Sequence, residues 1–158
     1  MKLFSNSYKK NLKKNIDDRG FFLEIFRLDQ ISFNSKISQV SHSFIKKNIL
    51  KGWHFHKKQT QWNYLLKGKT RVFLIDYRKK SKTYKKIKTF ILSANKKSCA
   101  YFFPANIGHA YITLGKENHM IYGTSGHYDP KEEYKLPFDK ELIKKYNLNI
   151  NKKNDVHI

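Results

Sequence analysis

Lys51-Gly52-Trp53-His54-Phe55-His56 sets two histidines two residues apart among large aromatic neighbours. On an extended chain this spacing points both imidazoles to the same face. Trp53 and Phe55 flank His54, and a desolvating aromatic environment lowers an imidazole pKa and keeps a neutral base available near pH 7. Outward from this strand, short β-rich runs recur with turn signals between them: Phe21 to Arg27, Gln39 to Phe44, Gln61 to Leu66, Thr70 to Tyr77, Ile87 to Leu92, Ser98 to Phe103, Ala110 to Thr113 and His119 to Gly123. Strands so short and so closely spaced predict an all-β barrel or sandwich. Lys67-Gly68-Lys69 reads as a tight hairpin connection. Only the stretch from about Asp139 to Tyr146 carries Leu142, Ile143 and Tyr146 at helical spacing, which predicts one short C-terminal helix. No internal repeat or Gly/Ser linker divides the chain, so residues 1–158 are expected to form a single domain.

A third histidine follows in Pro104-Ala105-Asn106-Ile107-Gly108-His109, on an expected turn leading into the next strand. Closure of the strands into a barrel would bring His54, His56 and His109 to its mouth.

Composition narrows the setting. A chain of 158 residues can bury a core without disulfides. Its one cysteine, Cys99, has no internal partner, the N-terminus lacks the apolar segment of a signal peptide, and no run is long enough to span a bilayer. A cytoplasmic protein without a membrane partner is expected. The net charge of +21 invites a nucleic-acid reading, but arginine occurs only at Arg19, Arg27, Arg71 and Arg78 while lysines are scattered throughout. Abundant Lys, Asn and Ile reflect an AT-rich genome, and no nucleic-acid partner is expected.

Taken together, several segments resemble, in order, the motifs of the dTDP-4-dehydrorhamnose 3,5-epimerase family. They are Asp17-Asp18-Arg19-Gly20-Phe21-Phe22-Leu23-Glu24-Ile25-Phe26, Gln39 through Ser43, Lys51 through His54, Asp76 through Tyr84, Leu92-Ser93, Pro104 through His109, and Tyr122 through Glu133. The resemblance implies a cupin fold, a double-stranded β-helix jelly-roll barrel, paired as a homodimer whose N-terminal strands reach into the neighbour's site. It also implies a nucleotide-linked 4-keto-6-deoxy sugar as substrate and no cofactor. In such a sugar the protons at C3 and C5 are both alpha to the ketone. Isomerisation therefore needs a base, an acid across the ring and a stabiliser of the enolate oxygen. A strongly basic protein would steer a pyrophosphate-bearing substrate toward its site.

Carried over by position, His54 matches the family's base and Tyr122 its proton donor. Arg19, Glu24, Gln39, Ser41, Lys51, His109, Tyr128 and Glu133 match substrate-binding positions or fall in binding segments. His56, Gln61 and Asp155 are candidates for catalytic support. Four departures stand out. Gln61 falls where the family has an oxyanion-stabilising lysine, Lys51 replaces an arginine, Ser41 replaces an asparagine, and either Asn154 or Asp155 aligns with the base-orienting aspartate.

His56, where the epimerases usually carry glutamine, makes Gly52-Trp53-His54-Phe55-His56-Lys57 resemble the signature of nucleotide-sugar 3,4-ketoisomerases as well. An epimerase acting at one or two centres and a ketoisomerase both begin with the same proton abstraction. Two further alternatives stay open: a metal-dependent cupin with His54, His56, Gln61 and His109 as ligands, and a non-catalytic binding protein.

Overall fold

The period-two runs form strands. A computed structural model, which describes residues 1–18, 20–26, 37–95, 98–136 and 140–146, contains β1 (Lys2–Phe4), β2 (Ser7–Asn11), β3 (Lys14–Asp17), β4 (Gly20–Leu23), β5 (Gln39–Lys46), β6 (Leu50–Phe55), β7 (Gln61–Lys67), β8 (Lys69–Asp76), β9 (Ile87–Ser93), β10 (Cys99–Phe103), β11 (Ile107–Thr113), β12 (Glu117–Thr124), β13 (Tyr134–Lys135) and the helix α1 (Lys140–Tyr146). Every pairing is antiparallel. One sheet runs β1-β2-β10-β7-β12-β5, a second runs β13-β6-β11-β8-β9, and β3-β4 forms a separate ribbon. This is the all-β cupin jelly roll with a short C-terminal helix that the sequence predicts.

Two layers of apolar side chains follow from the alternation. Leu65, Tyr101, Phe103 and Met120 from the six-stranded sheet meet Val72, Leu74, Phe90, Leu92, Ile107 and Tyr111 from the five-stranded sheet, filling the space between them. The continuous apolar run in β8 is covered on both faces. Phe73 turns outward into a second cluster with Leu50, Trp53 and Ala110, against which Leu142 and Tyr146 of α1 pack. That packing, with the Phe73 and Tyr146 rings 5.4 Å apart, gives so short a helix its reason to form, since an isolated helix of this length is unstable in water.

Three expectations need correction. Lys67-Gly68-Lys69 is not a hairpin, because β7 and β8 belong to different sheets. The chain crosses between layers there, with Gly68 at φ +97° and no room for a Cβ, which would sit 2.3 Å from the Glu117 carbonyl oxygen; a hairpin turn and a sheet-to-sheet corner both call for such a glycine. The first seventeen residues hold strands the apolar pattern does not announce. β2 is mostly polar because it adds to the sheet through its backbone ladder on β10, Tyr8 opposite Phe102 and Asn11 opposite Cys99, while buried Leu3 and Phe4 anchor β1. The strand expected from Phe21 to Arg27 covers Gly20–Leu23 in the described residues, Arg27 lying outside them.

Asp76 through Tyr84, quoted above for its resemblance, serves the fold. The Asp76 carboxylate has no solvent exposure and accepts hydrogen bonds from Arg78 Nε at 2.8 Å and Nη2 at 2.7 Å, Ser81 Oγ at 2.7 Å and Thr83 Oγ1 at 2.6 Å. Burial pushes this carboxyl up, but the bonds from Arg78, Thr83 and Ser81 outweigh it and hold the group well below the usual carboxylate range. A depressed folded-state pKa means stability that is present above the unfolded value of 3.8 and lost as the pH falls below it. Asp76→Asn should cost about 3 kcal/mol at pH 7, read from urea unfolding. The difference from the wild type should shrink as the pH falls below that value.

Candidate active site

β6 and β11 pair with His54 opposite His109 and Lys51 opposite Tyr111, so three residues of one strand span two of the other. This bulge lets Leu50 and Trp53, three residues apart, both enter the outer apolar cluster. Gly52 sits at the bulge with φ +104°, and a Cβ there would lie 2.5 Å from the His109 carbonyl oxygen. His109 is not on a turn, as expected, but within β11, which begins at Ile107. Asn106, at φ +61°, ends the three-residue connection by which the chain crosses from β10 to β11 in the other sheet.

The three histidines come together. The His54 and His109 rings are 4.3 Å apart, His56 and His109 5.5 Å, and His54 and His56 5.7 Å. One ring nitrogen from each lies within 4.8 Å of the other two. Each Nδ1 faces an oxygen: His109 the Ile107 carbonyl at 3.2 Å, His56 the Glu132 carbonyl at 3.1 Å, and His54 the Glu133 carboxylate at 3.7 Å. A carbonyl can only accept, so Nδ1 of His56 and His109 carries the proton and Nε2 is left with a lone pair. Burial lowers the pKa of His109 far below the usual value, helped by the neighbouring His54 and His56, with the Ile107 carbonyl opposing. Burial also lowers that of His56, against the Glu132 carbonyl and the Glu133 and Glu132 charges. Both imidazoles are neutral at pH 7.

Across the barrel, Tyr122 on β12 pairs in register with Ser41 on β5 and Asn63 on β7. Its hydroxyl lies 2.5 Å from that of Tyr111 on β11, a hydrogen bond that joins the two sheets through the interior. Burial pushes the Tyr122 phenol up, partly offset by hydrogen bonds with Tyr111 and Ser43, so it holds its proton at neutral pH.

The remaining sequence-predicted residues spread around this centre. Gln61 is buried near the start of β7 opposite Phe103 and Thr124. Lys51 is half-buried, burial pushing its ammonium pKa down and Glu133 raising it. Gln39 donates from Nε2 to Ser41 Oγ at 2.8 Å and accepts from the Tyr128 amide at 2.9 Å, tying three predicted binding residues into one chain, with the Tyr128 ring itself exposed. Glu24 is exposed just beyond the ribbon strand β4, away from both sheets' ladders. Arg19, Asn154 and Asp155 lie outside the described residues.

The structure adds Tyr111, Ser43 and Asn63. Tyr111 and Ser43 follow His109 and Ser41 by two residues, and Asn63 follows Gln61 by two, so the strand period carries the signal for all three. The Asn63 amide nitrogen is buried and has no hydrogen-bond partner among the described residues.

Known proteins resemble this chain in sequence and in fold. A family model described as dTDP-4-dehydrorhamnose 3,5-epimerase matches residues 5–157. The spore coat polysaccharide biosynthesis protein SpsL of Bacillus subtilis is 31% identical over 137 residues, covering 85% of this chain and 89% of SpsL. The dTDP-4-dehydrorhamnose 3,5-epimerase of Salmonella typhimurium is 29% identical over 136 residues, covering 80% and 73%. Among solved structures, the dTDP-4-dehydrorhamnose 3,5-epimerase of Bacillus anthracis with TDP and PPi bound superposes with a TM-score of 0.81 at 25% identity, covering 90% of this chain and 85% of that one.

Proposed function

The chain belongs to the dTDP-4-dehydrorhamnose 3,5-epimerase family, and from that premise we propose how this isomerase of nucleotide-linked keto sugars works. His54 removes the proton alpha to the C4 ketone, and Tyr122 delivers one to the opposite face of the sugar. The observation that carries this reading is placement: His54 stands on the five-stranded sheet and Tyr122 on the six-stranded sheet. Inversion needs a base and an acid on opposite sides of one carbon, and these two groups approach the interior from opposite walls.

Glu133, with its carboxylate 3.7 Å from His54 Nδ1, favours the tautomer that leaves Nε2 as the base and stabilises the imidazolium that forms. Gln61 and Lys51 are the groups for the enolate oxygen and the substrate's anionic end, with an amide in place of a full charge at position 61. Gln39, Ser41 and Tyr128, already joined by hydrogen bonds, hold the nucleotide-bearing portion. Arg19 and Glu24 act from the N-terminal arm. The β3-β4 ribbon pairs with neither sheet and exposes Ile16, Phe21 and Phe22. Such an apolar ribbon supports a homodimer in which the arm of one copy crosses to the other's site.

The reaction belongs in the cytoplasm, in keeping with Cys99 being a buried thiol and not half of a disulfide; no helix among the described residues is long and apolar enough to cross a membrane. The 3,4-ketoisomerase reading is not favoured, because the matched family model is that of the epimerases.

Incubation with a dTDP-linked 4-keto-6-deoxyhexose in D2O tests the reading by NMR. Deuterium at C3, or at C3 and C5, with inversion is expected. Deuterium with a 3-keto product would assign a ketoisomerase, and a substrate unlabelled at every position would leave only binding.

A further inference from the structure

The mechanism uses one of two phenols that meet between the walls of the barrel. Tyr122 on β12 and Tyr111 on β11 bring their hydroxyls to 2.5 Å, and Ser43 on β5 offers its hydroxyl to both. A bond between two hydroxyls places one proton between the oxygens and leaves the other proton outside. Its direction therefore decides whether Tyr122 has a proton to give to a sugar carbon. Two observations set that direction. Tyr122 is partly exposed whereas Tyr111 is only 6% exposed and belongs to the core cluster between the sheets, so of the two only Tyr122 meets a substrate. Burial raises both phenols, but the bond between them lowers Tyr122 and raises Tyr111, which leaves Tyr122 the more acidic partner. The register holds Tyr111 from both sides, opposite Val72 of β8 and Lys51 of β6.

We propose that Tyr111 is a positioning residue of the isomerase: its hydroxyl donates to the Tyr122 oxygen, turns the Tyr122 proton toward the sugar, and holds the phenolate left when that proton has gone. The catalytic half of this rests on the assignment of Tyr122 as proton donor; the direction of the bond does not. In the step itself the Tyr122 O–H bond breaks as the enolate's electron pair forms the new C–H bond on the face opposite His54. The phenolate then carries the charge the enolate had. In a place from which water is largely excluded, a hydrogen bond to a charged oxygen is about twice as strong as one between neutral groups. Tyr111 and Ser43 meet that charge, and solvent returns a proton to Tyr122 and removes the one on His54 before the next turnover.

Tyr111→Phe keeps the ring and removes only the donor. With a dTDP-linked 4-keto-6-deoxyhexose in D2O, inversion should fall by about 10- to 100-fold, the cost of one hydrogen bond to a charged oxygen. Exchange with retained configuration, and KM, should hold at wild-type values. Because Tyr111 acts through Tyr122, the double variant Tyr111→Phe with Tyr122→Phe should invert no more slowly than Tyr122→Phe alone. Val72→Ala removes methyl groups from the same core cluster and leaves both hydroxyls in place. It should lower the denaturation midpoint with the ratio of exchange to inversion unchanged. NMR of the 13C-tyrosine-labelled chain reads the bond without turnover: the hydroxyl proton between the rings should couple through bonds to the ζ-carbon of Tyr111. Coupling to the Tyr122 ζ-carbon instead, equal losses of exchange and inversion in Tyr111→Phe, or a further loss in the double variant overturns the proposal. Tyr122→Phe inverting at the wild-type rate would mean that the donor assignment has failed; loss of inversion there with wild-type inversion in Tyr111→Phe would mean that the positioning role alone has failed. Should the chain exchange no substrate at all, the catalytic half falls with the isomerase reading, and the coupling still decides the direction of the bond.

Discussion

His54→Asn is expected to lower kcat for exchange and inversion by a factor of about 10²–10⁴, the usual contribution of a positioned general base. An amide fills much of the imidazole's volume and can still donate a hydrogen bond, but it has no nitrogen that accepts a proton near neutral pH. The His54 side chain is 27% exposed, so the fold should survive the change, and KM should move little because the residues proposed to hold the nucleotide, Gln39, Ser41 and Tyr128, stand on other elements. The pattern of a fall in kcat and kcat/KM together marks a group acting in the transition state. The nearest candidates to replace it are His56 and His109, both neutral, but His109 is buried against Phe103 with ring centroids 4.7 Å apart. A double variant, His54→Asn with His56→Gln, should therefore remove any residual exchange that His56 supports. Wild-type kcat in the single variant would remove His54 from the mechanism.

The strand period made half of this site legible. His54 and His56, Gln39 and Ser41, and the apolar run of β8 are all readable because side chains two apart share a face. What the period could not reveal is the bulge at Gly52. One additional residue there shifts the alternation of β6, so that Leu50 and Trp53 face the same way; a strict period-two reading from Leu50 would have turned Trp53 away from that cluster. Nor could it assign strands to sheets. β7 and β8 look like a hairpin in sequence because Gly68 supplies the φ that either connection needs, and the choice is made only by the layers on each side.

The oxygens that face the His54 and His56 rings arrive from far along the chain. Glu132 lies 76 residues after His56, and no local pattern links them. They reach the site because β13 pairs with β6, Tyr134 opposite Phe55 and Lys135 opposite His54. The short turn before it, with Asp129 accepting from the Lys131 amide at 2.9 Å, sets Glu132 and Glu133 at the mouth. A two-residue strand carries almost no sequence signal, yet here it brings the oxygens of Glu132 and Glu133 to the His56 and His54 rings.

Tyr122→Phe should separate proton removal from inversion. If His54 abstracts and the phenol delivers, removing the hydroxyl leaves the first step intact, and solvent deuterium returns from the base to the face it left. Inversion should fall by about 10²–10⁴ while exchange with retained configuration persists, so the ratio of exchange to inversion rises steeply. A purely structural role predicts something else. Loss of the 2.5 Å contact between Tyr122 and Tyr111 would disturb the barrel interior, lowering both rates by the same factor along with the denaturation midpoint. Because burial raises the Tyr122 pKa above its ordinary value of 10.0, the wild-type inversion rate should also stay free of a phenol-dependent alkaline fall until above that pH. Equal losses of exchange and inversion in the variant would place Tyr122 among the packing residues; an unchanged inversion rate would require another proton donor on the six-stranded wall.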